Sequence, residues 1–448
     1  MDIIFLVPAF TNPKGFQSQG VFSNHYPDEN LGVAYLLAAL HKADIGADVY
    51  DFNFEQKAEE EIIKLALEKC PKIIGITIHQ YSFLHAKKLA KIIRKMNFAG
   101  KIIMGGQLPS LASKFVFENC LEVDHILLGE CDNTIVEYVK CVINGADFNK
   151  IDGFLSRTSN SSNIHGFPKI KQLDTLPIPY RYGFKKYNVK VVVPSVSSSR
   201  GCSYGRCTFC STAAYYKNIY KTNMWRYRSS ESVCDELKHL YDEQKCEYFV
   251  FADETVFNTC KTQNRISHAL KKLEAEGIRM NFMLDCRAAD IEPKLFLELK
   301  KYGLVRVFVG FETNDPKYLK MIMKGTTTHN NEFAVKVLKQ LEIQIVPGFI
   351  PFYPEATLES IKEDFRFMVE TIGYNKVHKY VKRLVPEVST PFFEKLLKEG
   401  NLYGNFPLYE YKFYDLRVQK LYDDLKTLIF EENITDAIKL YNFVMNAK

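Results

Sequence analysis

The feature that most constrains this chain is a regular alternation of short β-rich runs and amphipathic helical runs along its first 145 residues. The candidate strands are 3–7, 47–51, 73–78, 102–105 and 125–128. Apolar residues at helical spacing occupy 31–42, 82–95, 109–119 and 134–142. Strict alternation predicts an open, Rossmann-like parallel sheet, whose ligands lie beyond the carboxyl ends of the strands.

Residues of ligand-binding character follow three of those strands. They are Thr77, Gly105, Gly106, Gln107, Gly129 and Glu130. A glycine pair lets the backbone approach a bulky ligand, but it is also ordinary turn chemistry. No GxGxxG follows the first strand, so a dinucleotide site is not indicated. His79, His85 and His125 lack metal-ligand spacing and are interpreted as surface or packed side chains.

A second alternating series runs to about residue 400. Its candidate strands are 191–197, 248–252, 281–284, 305–310, 343–350 and 377–384, and its candidate helices are 230–243, 263–276, 293–302, 330–340 and 358–371. Six such units predict a partial (β/α)6 barrel, with an active site at its carboxyl-terminal edge. The predicted divisions are a domain over 1–145, a connection with a little strand over 146–182, the barrel over 183–400 and an aromatic-rich helical region over 401–448.

Three cysteines, Cys202, Cys207 and Cys210, fall within nine residues just after the first strand of the second series. Three thiolates on a short loop can hold three irons of a 4Fe-4S cluster and leave the fourth iron open. A structural zinc site requires four ligands, and no other Cys or His lies within ten residues of this group. The spacing therefore favours an iron–sulfur cluster over zinc.

The remaining composition sets broad limits. A chain of 448 residues with 46% hydrophobic and 25% charged residues is typical of a globular protein of two or three domains. The net charge of +6 does not by itself indicate nucleic acid, and no run of 18 apolar residues indicates a membrane span. The other eight cysteines are scattered singly and no signal peptide is evident, so we expect reduced thiols and a cytoplasmic protein.

An ordered set of motifs follows the cysteine loop. They are Tyr227-Arg228, Phe251-Ala252-Asp253-Glu254, Asp285-Cys286-Arg287, Gly310-Phe311-Glu312-Thr313 and Lys324-Gly325-Thr326. With Asn30-Leu31-Gly32 and the glycine turns of the first series, this order resembles the radical S-adenosylmethionine (SAM) superfamily, in particular its branch with a cobalamin-binding domain. The resemblance covers residues 1 to about 400.

The resemblance implies roles for individual residues. The three cysteines would hold the cluster, and the methionyl amino and carboxylate groups of SAM would chelate the open iron. Asp253 and Glu254 would accept hydrogen bonds from the SAM amino group, Arg287 would bind its carboxylate, and Glu312 is a further SAM-binding candidate. Phe209 matches a position near the adenine, although packing beneath the loop is an equal interpretation.

Two departures from the family pattern affect these expectations. Four residues, not the commoner three, separate Cys202 from Cys207, and Gly205 is expected to absorb the extra one because glycine tolerates positive φ. A DxHxxG motif is absent after the first strand, which implies cobalamin bound without a protein histidine. The expected cobalamin-binding residues are the strand-end set from Thr77 to Glu130 given above.

The function implied is methylation of an unactivated carbon in a peptide or other small natural-product precursor, supported by an external electron donor such as flavodoxin or ferredoxin. Epimerisation or rearrangement by the same radical chemistry is the alternative, and outside catalysis an iron–sulfur redox sensor or a cobalamin-binding regulator. A methylthiotransferase is disfavoured because no second cysteine trio is present. The aromatic residues of 401–448 either cover the barrel or pack a terminal helix.

Overall fold

The structure is a computed structural model. It describes residues 1–9, 29–148, 150–157, 166–187, 193–222, 225–257, 260–373, 381–431, 433–437 and 439–440. No helix within these ranges is both long enough and apolar enough to cross a bilayer.

The N-terminal half forms a six-stranded sheet with helices on its faces. Its strands are β1 (Ile3–Val7), β2 (Ala47–Asp51), β3 (Ile73–Thr77), β4 (Lys101–Gly105), β5 (His125–Leu127) and β6 (Phe154–Ser156), in the order β2-β1-β3-β4-β5-β6. Its helices are α1 (Leu31–Lys42), α2 (Glu59–Glu68), α3 (Phe83–Lys95), α4 (Gln107–Asn119) and α5 (Thr134–Asn144). The first five strands are parallel and β6 is antiparallel. The predicted open parallel sheet is confirmed, and β6 is the little strand expected in the connection.

Burial explains why these runs form strands. All five residues of β1 are buried, as expected for a parallel strand that is covered by helices on both faces. α1 begins at Asn30, whose side chain accepts a hydrogen bond from Val33 N, so the cap fixes the start of the helix at the predicted residue. Helix α2 was not predicted, although its first turn contains three glutamates, which favour a helix N-terminus.

The second half forms a parallel sheet that curves into an open barrel. The elements are α6 (Tyr182–Lys185), β7 (Ser195–Val196), β8 (Ser199–Arg200), α7 (Ser211–Tyr220), β9 (Arg226–Tyr227), α8 (Ser230–Gln244), β10 (Tyr248–Phe251), α9 (Cys260–Ala275), β11 (Asn281–Arg287), α10 (Pro293–Lys301), β12 (Leu304–Glu312), α11 (Pro316–Met321), α12 (Thr328–Gln340), β13 (Gln344–Phe349) and α13 (Leu358–Ile372). The order is β13-β12-β11-β10-β7, and β8 pairs with β9 separately. Half of the sixth predicted strand, residues 377–380, lies outside the described residues, and in the described half a single parallel bridge joins Arg383 to Phe352.

Side-chain alternation separates the two faces of the barrel sheet. On β11, Phe282, Leu284 and Cys286 belong to the core beneath the surrounding helices. The intervening Met283, Asp285 and Arg287 therefore face the interior of the barrel, because successive strand residues point to opposite faces. The same rule directs Gly310 and Glu312 of β12 inward, since Val309 and Phe311 are in the outer core.

The C-terminal region packs on both halves. It contains α14 (Pro391–Lys398), a hairpin of β14 (Tyr403–Asn405) and β15 (Leu408–Glu410), and α15 (Leu416–Phe430). Tyr411 and Phe413 are buried in the barrel core, whereas Phe406 stacks on Phe115 of the N-terminal half. Tyr403 is 45% exposed. Most of the aromatic residues expected there therefore serve packing.

A buried ion network joins the two halves. Arg181 donates to Glu29 Oε1 at 3.0 Å and to Glu236 Oε1 at 2.5 Å, and all three side chains are fully buried. Arg228 pairs with the other oxygen of Glu236. Removing one partner would strand a buried charge, which typically costs about 3–5 kcal/mol. The network therefore sets the position of the N-terminal sheet against the barrel.

Candidate functional site

A cavity of about 380 Å³ lies at the carboxyl ends of β1, β3, β4 and β5. Its walls are mostly apolar side chains and glycine backbone from the N-terminal sheet, and Ser197, Arg200 and Ala252 of the barrel complete it. Because Ala252 also follows β10 at the carboxyl end of the barrel sheet, one residue is common to the cavity and the mouth of the barrel. The two sheet edges thus open towards each other.

Two glycine turns shape the cavity. Gly106 has φ +107°, and a Cβ there would lie 2.8 Å from Ile78 O, so only glycine fits without a shift. Ser110 Oγ donates to Gly106 O at 2.8 Å and accepts from Gly129 N at 3.1 Å. This one hydroxyl therefore holds the turns after β4 and β5 together.

Five of the six residues predicted to bind cobalamin line this cavity: Thr77, Gly105, Gly106, Gly129 and Glu130. Gln107 begins α4 and is not part of the lining. Glu130 already accepts hydrogen bonds from Arg226, from Ile170 N at 2.9 Å and from Tyr216 at 3.2 Å. Glu130 therefore ties the cavity wall to the connection and to the barrel.

Arg200 connects the cavity with the cysteine loop. Its guanidinium donates to both oxygens of Asp132, at 2.7 and 2.9 Å, and lies 5.2 Å from the centroid of the Tyr35 ring. Asp132, from the N-terminal half, also lines the cavity. Since Cys202 follows Arg200 by two residues, this bidentate pair fixes the start of the cysteine loop against the cavity wall.

The three cysteines lie on the loop between β8 and α7, and Cys210 is the residue that precedes the first turn of α7. All three thiols are free and partly exposed. Gly205 has φ +54° and donates its N–H to Cys202 Sγ at 3.4 Å. The expectation that Gly205 absorbs the extra residue of the spacing agrees with this backbone.

The loop geometry separates a cluster site from a single-ion site. Within the described ranges, no three His, Cys, Asp or Glu side chains converge on a point where one metal ion would fit. A zinc ion needs such convergence, whereas in a 4Fe-4S cluster each thiolate binds a different iron. Three free thiols on one loop fit the cluster, and their role as its ligands stays a prediction.

An ion pair lies beside the thiols. Lys324 Nζ donates to Glu312 Oε1 at 2.6 Å, and both side chains are largely buried. Burial raises the pKa of Cys207 to about 11, and the charge of Lys324 acts against that rise. A Cβ on Gly310 would lie 2.8 Å from Lys324 Nζ, so the glycine makes room for the pair. Glu312 itself has φ +64°, a backbone conformation that costs energy and often marks functional sites.

The adjacent carboxylates Asp253 and Glu254 have different environments. Asp253 is buried and accepts from Ser198 N at 3.0 Å and from the hydroxyls of Ser198 and Ser199. Glu254 accepts one hydrogen bond, from Thr212 Oγ1 at 2.8 Å, and its side chain is accessible. Desolvation by the surrounding protein raises the pKa of both carboxyls, including that of Glu254, whose side chain borders open space within the site. Glu254 retains acceptor capacity for a ligand, whereas Asp253 holds the strand ends together.

Arg287 and Phe209 also have protein partners. Arg287 makes two hydrogen bonds to Asp290, at 3.0 and 2.6 Å, and its guanidinium carbon lies 4.3 Å from the centroid of the Tyr204 ring. The charge of Arg287 acts on the thiols of Cys202 and Cys207, so it lies at the predicted site. Phe209 packs against the barrel core, which favours the packing interpretation.

Asp285 is a site residue for which the sequence predicted no role, although it belongs to the Asp285-Cys286-Arg287 motif. Its Oδ1 is buried without a hydrogen-bond partner among the described residues. Burial, followed by the charges of Glu254 and Asp253, raises its pKa well above the usual range. An unsatisfied buried carboxyl oxygen that faces the barrel interior is suited to a ligand group. Asp285 lies two residues before Arg287 on the same strand, and residues at this spacing point to the same face of a sheet. This spacing was the sequence signal for its position on the inner face.

Comparison with known proteins agrees with both halves. Residues 196–368 match the model of the radical SAM superfamily, and residues 25–139 match that of the B12-binding domain. The chain therefore contains a radical SAM domain and a B12-binding domain, and the predicted resemblance is confirmed. The cofactors of the chain are therefore a 4Fe-4S cluster, S-adenosylmethionine and cobalamin. The free thiols and the glycine-walled cavity fit such ligands, and so does the Asp285 oxygen that has no hydrogen-bond partner among the described residues.

Among its relatives is an uncharacterised methyltransferase of Pyrococcus horikoshii, 28% identical over 75% of this chain and 72% of the relative. The solved structure of the cobalamin-dependent SAM radical enzyme OxsB, with aqua-cobalamin and SAM bound, has a TM-score of 0.75 and 20% identity over 95% of this chain. This chain spans 66% of OxsB. The radical SAM methyltransferase TsrM of Kitasatospora setae, with cobalamin and a [4Fe-4S] cluster bound, has a TM-score of 0.68 and 16% identity over 89% of this chain and 75% of TsrM. Both structures support the predicted fold.

Proposed function

We propose that this protein is a cobalamin-dependent radical SAM enzyme that methylates an unactivated carbon. The observation that carries the proposal is the contact between the two sites: Ala252 belongs to the B12-type cavity and to the mouth of the barrel, and Arg200 joins the cavity wall to the cysteine loop. A methyl donor and a radical generator must act on one substrate in succession. Two sheet edges that open on each other suit that requirement.

Cys202, Cys207 and Cys210 are the proposed ligands of the cluster. When bound, the cofactors would supply radical hydrogen abstraction and methyl transfer. Glu254 would accept a hydrogen bond from the SAM ammonium, because among the described residues only Thr212 donates to its carboxylate. Arg287 would bind the SAM carboxylate, with Asp290 and Tyr204 holding the guanidinium plane in place. Asp253 positions the strand end, and Glu312 is held towards the thiols by Lys324.

The cobalamin site that we propose is the glycine-walled cavity, with Thr77, Gly105, Gly106 and Gly129 in its wall. Gln107 and Glu130 would act at its edge, Glu130 through the contacts that tie it to Arg226. The cavity is predominantly apolar, and its three charged lining residues are ion-paired: Arg200 with Asp132, and Glu130 with Arg226. Such a wall binds by shape and apolar contact more than by charge.

The substrate would enter between the two sheet edges, and a peptide or another small natural-product precursor is the class that we propose. An external carrier such as flavodoxin or ferredoxin would supply the electron. The domain limits 1–145, 146–182, 183–400 and 401–448 remain our proposed division of the chain.

The decisive experiment uses the anaerobically reconstituted protein with and without hydroxocobalamin, desalted before its ultraviolet–visible spectrum is recorded. We expect cluster absorbance in both samples and retained corrinoid bands in the first. Incubation with a reductant and SAM deuterated in its methyl group should then yield 5'-deoxyadenosine and, with candidate precursors, a product three mass units heavier than its unlabelled counterpart.

Two other outcomes would revise the proposal. Cluster absorbance and 5'-deoxyadenosine without retained corrinoid would replace methylation by epimerisation or rearrangement. Retained corrinoid without SAM cleavage would indicate a sensor or a regulator.

A further inference from the structure

The outer side of the cysteine loop is bordered by α11 and by the turn after it. Tyr204 Oη donates to Met323 O at 2.7 Å, and Thr208 N donates to Ile322 O at 3.0 Å. These bonds hold residues 321–323 directly against the loop that carries the three thiols. The side chains exposed there therefore border the cysteine loop.

The exposed side chains of this border have a distinct composition. They are Arg206, Lys317, Lys320, Met321 and Met323, which we call the loop face. Met321 is 39% exposed and Met323 is 49% exposed. None of the three basic residues forms an ion pair with an acidic side chain in the part of the chain that the structure describes. The loop face thus combines two exposed methionines with positive charge that no acidic side chain of the described residues pairs with.

The need for a partner follows from the proposed function, on which this inference rests. Reductive cleavage of SAM takes one electron from the cluster, and the cluster must regain it from outside. Bound SAM would occupy the barrel side of the cluster. A protein that carries electrons must therefore approach through the cysteine loop.

We propose that the loop face is the docking surface for an acidic one-electron carrier protein. Unpaired basic residues steer an acidic partner to the encounter, and exposed methionines provide an adaptable apolar contact for a partner that must leave again. In the transfer, the carrier loses one electron, for a flavodoxin from its hydroquinone to its semiquinone, and the cluster gains it.

The test is the rate of cluster reduction in stopped-flow experiments with the reconstituted full-length protein. The variant is Lys317→Glu with Lys320→Glu, which leaves the cysteine loop untouched. Two reductants are compared: flavodoxin hydroquinone, and photoreduced 5-deazariboflavin, which is small and neutral. We expect reduction by flavodoxin to slow by about tenfold or more at low salt and to lose its salt dependence, because charge steering sets the association rate. Reduction by deazariboflavin should be unchanged.

A matched control carries the same charge change at the opposite end of the barrel. Lys271, in the last turns of α9, and Lys301, at the end of α10, are exposed and precede the starts of β11 and β12. Lys271→Glu with Lys301→Glu should leave the flavodoxin rate within about twofold of the unaltered protein.

The outcomes separate the two proposals. Equal flavodoxin rates in the Lys317/Lys320 variant and the unaltered protein, or an equal loss in the control, would overturn the loop face as the docking surface. Failure of deazariboflavin to reduce any cluster in the unaltered protein would overturn the proposed function, and the docking surface with it.

Discussion

The two sheet edges that face each other in this protein differ in the chemical character of the residues that form them. The N-terminal edge is a cavity of apolar side chains and glycine backbone, and its carboxylates, Glu130 and Asp132, pair with arginines of the barrel half. The barrel edge concentrates thiols, an ion pair and three carboxyls within one site, and one buried carboxyl oxygen has no partner in the described residues. The first edge is suited to recognition by shape, and the second to recognition by charge and ligation.

This difference predicts that different kinds of substitution disrupt ligand binding at the two edges. A shaped cavity is damaged by added volume, whereas a charged site is damaged by the loss of a ligand atom. Substitutions at one edge should therefore leave the cofactor of the other edge in place.

The largest effect is expected from replacing Cys202, Cys207 and Cys210 together by alanine. Iron and sulfide content and 5'-deoxyadenosine formation should all fall to background, because no other ligand trio is available in the described ranges. Hydroxocobalamin retention should persist, since the cavity uses none of these residues. Cys70→Ala with Cys141→Ala serves as the control and should keep its iron. Loss of corrinoid from the triple variant would show that the two edges are not separate.

The second-largest effect is expected at Glu254, and it distinguishes this carboxylate from its neighbour Asp253. Glu254→Gln should weaken SAM binding by about 10- to 100-fold, the equivalent of about 1.5–3 kcal/mol for a hydrogen bond to a charged group. Asp253→Asn should instead lower the melting temperature, because an amide cannot accept all the hydrogen bonds that Ser198 and Ser199 donate. Equilibrium dialysis with SAM and thermal unfolding measure the two quantities. The reverse pattern would assign the SAM ammonium to Asp253.

The third effect tests shape at the N-terminal edge. Gly106→Ala places a methyl group 2.8 Å from Ile78 O and forces alanine to φ +107°, so we expect corrinoid retention to weaken by about tenfold with iron content unchanged. Gly145 is the matched control: its φ is also positive, at +64°, but a Cβ there would meet nothing within 4 Å. Gly145→Ala should cost about 1 kcal/mol of unfolding free energy and no corrinoid. Equal corrinoid loss in both variants would mean that global stability, not cavity shape, governs retention.

The sequence predicted the features of these edges that depend on local interactions or on sheet topology. It did not predict the features that depend on residues distant in the chain. The ends of α1 were predicted to the residue because its cap, Asn30, is local. The strand ends that carry Thr77 and Gly106 were found because a parallel sheet brings its carboxyl ends to one edge. The different tasks of Asp253 and Glu254 could not be predicted, since they depend on Ser198, Ser199 and Thr212, which are 42 to 55 residues away in the chain. For the same reason, the engagement of Glu130 by Arg226 was not anticipated.

The smallest effect concerns pH, and here the two halves should respond in opposite directions. His125 lies in the N-terminal half against Tyr138 and Phe154, with Lys101 and Asp124 as its charged neighbours. Burial lowers its pKa to about 4. The folded state therefore binds this proton less readily than the unfolded chain, so the stability that His125 contributes is present above pH 6.5 and lost as pH falls towards 4.

Asp285 has the opposite sign. Burial and the charges of Glu254 and Asp253 raise the pKa of its carboxyl, so the folded state keeps the proton more readily. Its contribution is fully present below about pH 4, the usual pKa of an aspartate, and is lost as pH rises through the folded pKa. Asp364, whose pKa burial raises to about 8, adds to the same alkaline loss.

Urea unfolding of the cofactor-free protein across pH 4.5–9 measures both contributions as differences from the unaltered protein. His125→Phe should remove a rise in stability of up to about 1.4 kcal/mol per pH unit between pH 4.5 and 6.5 and leave the pH dependence above pH 7 unchanged, because phenylalanine fits the aromatic surroundings but cannot be protonated. Asp285→Asn should remove a fall in stability that begins at the acid end and continues above pH 7, and the fall due to Asp364 remains in both variants. If His125→Phe changed the pH dependence above pH 7 instead, the sign assigned to His125 would be wrong.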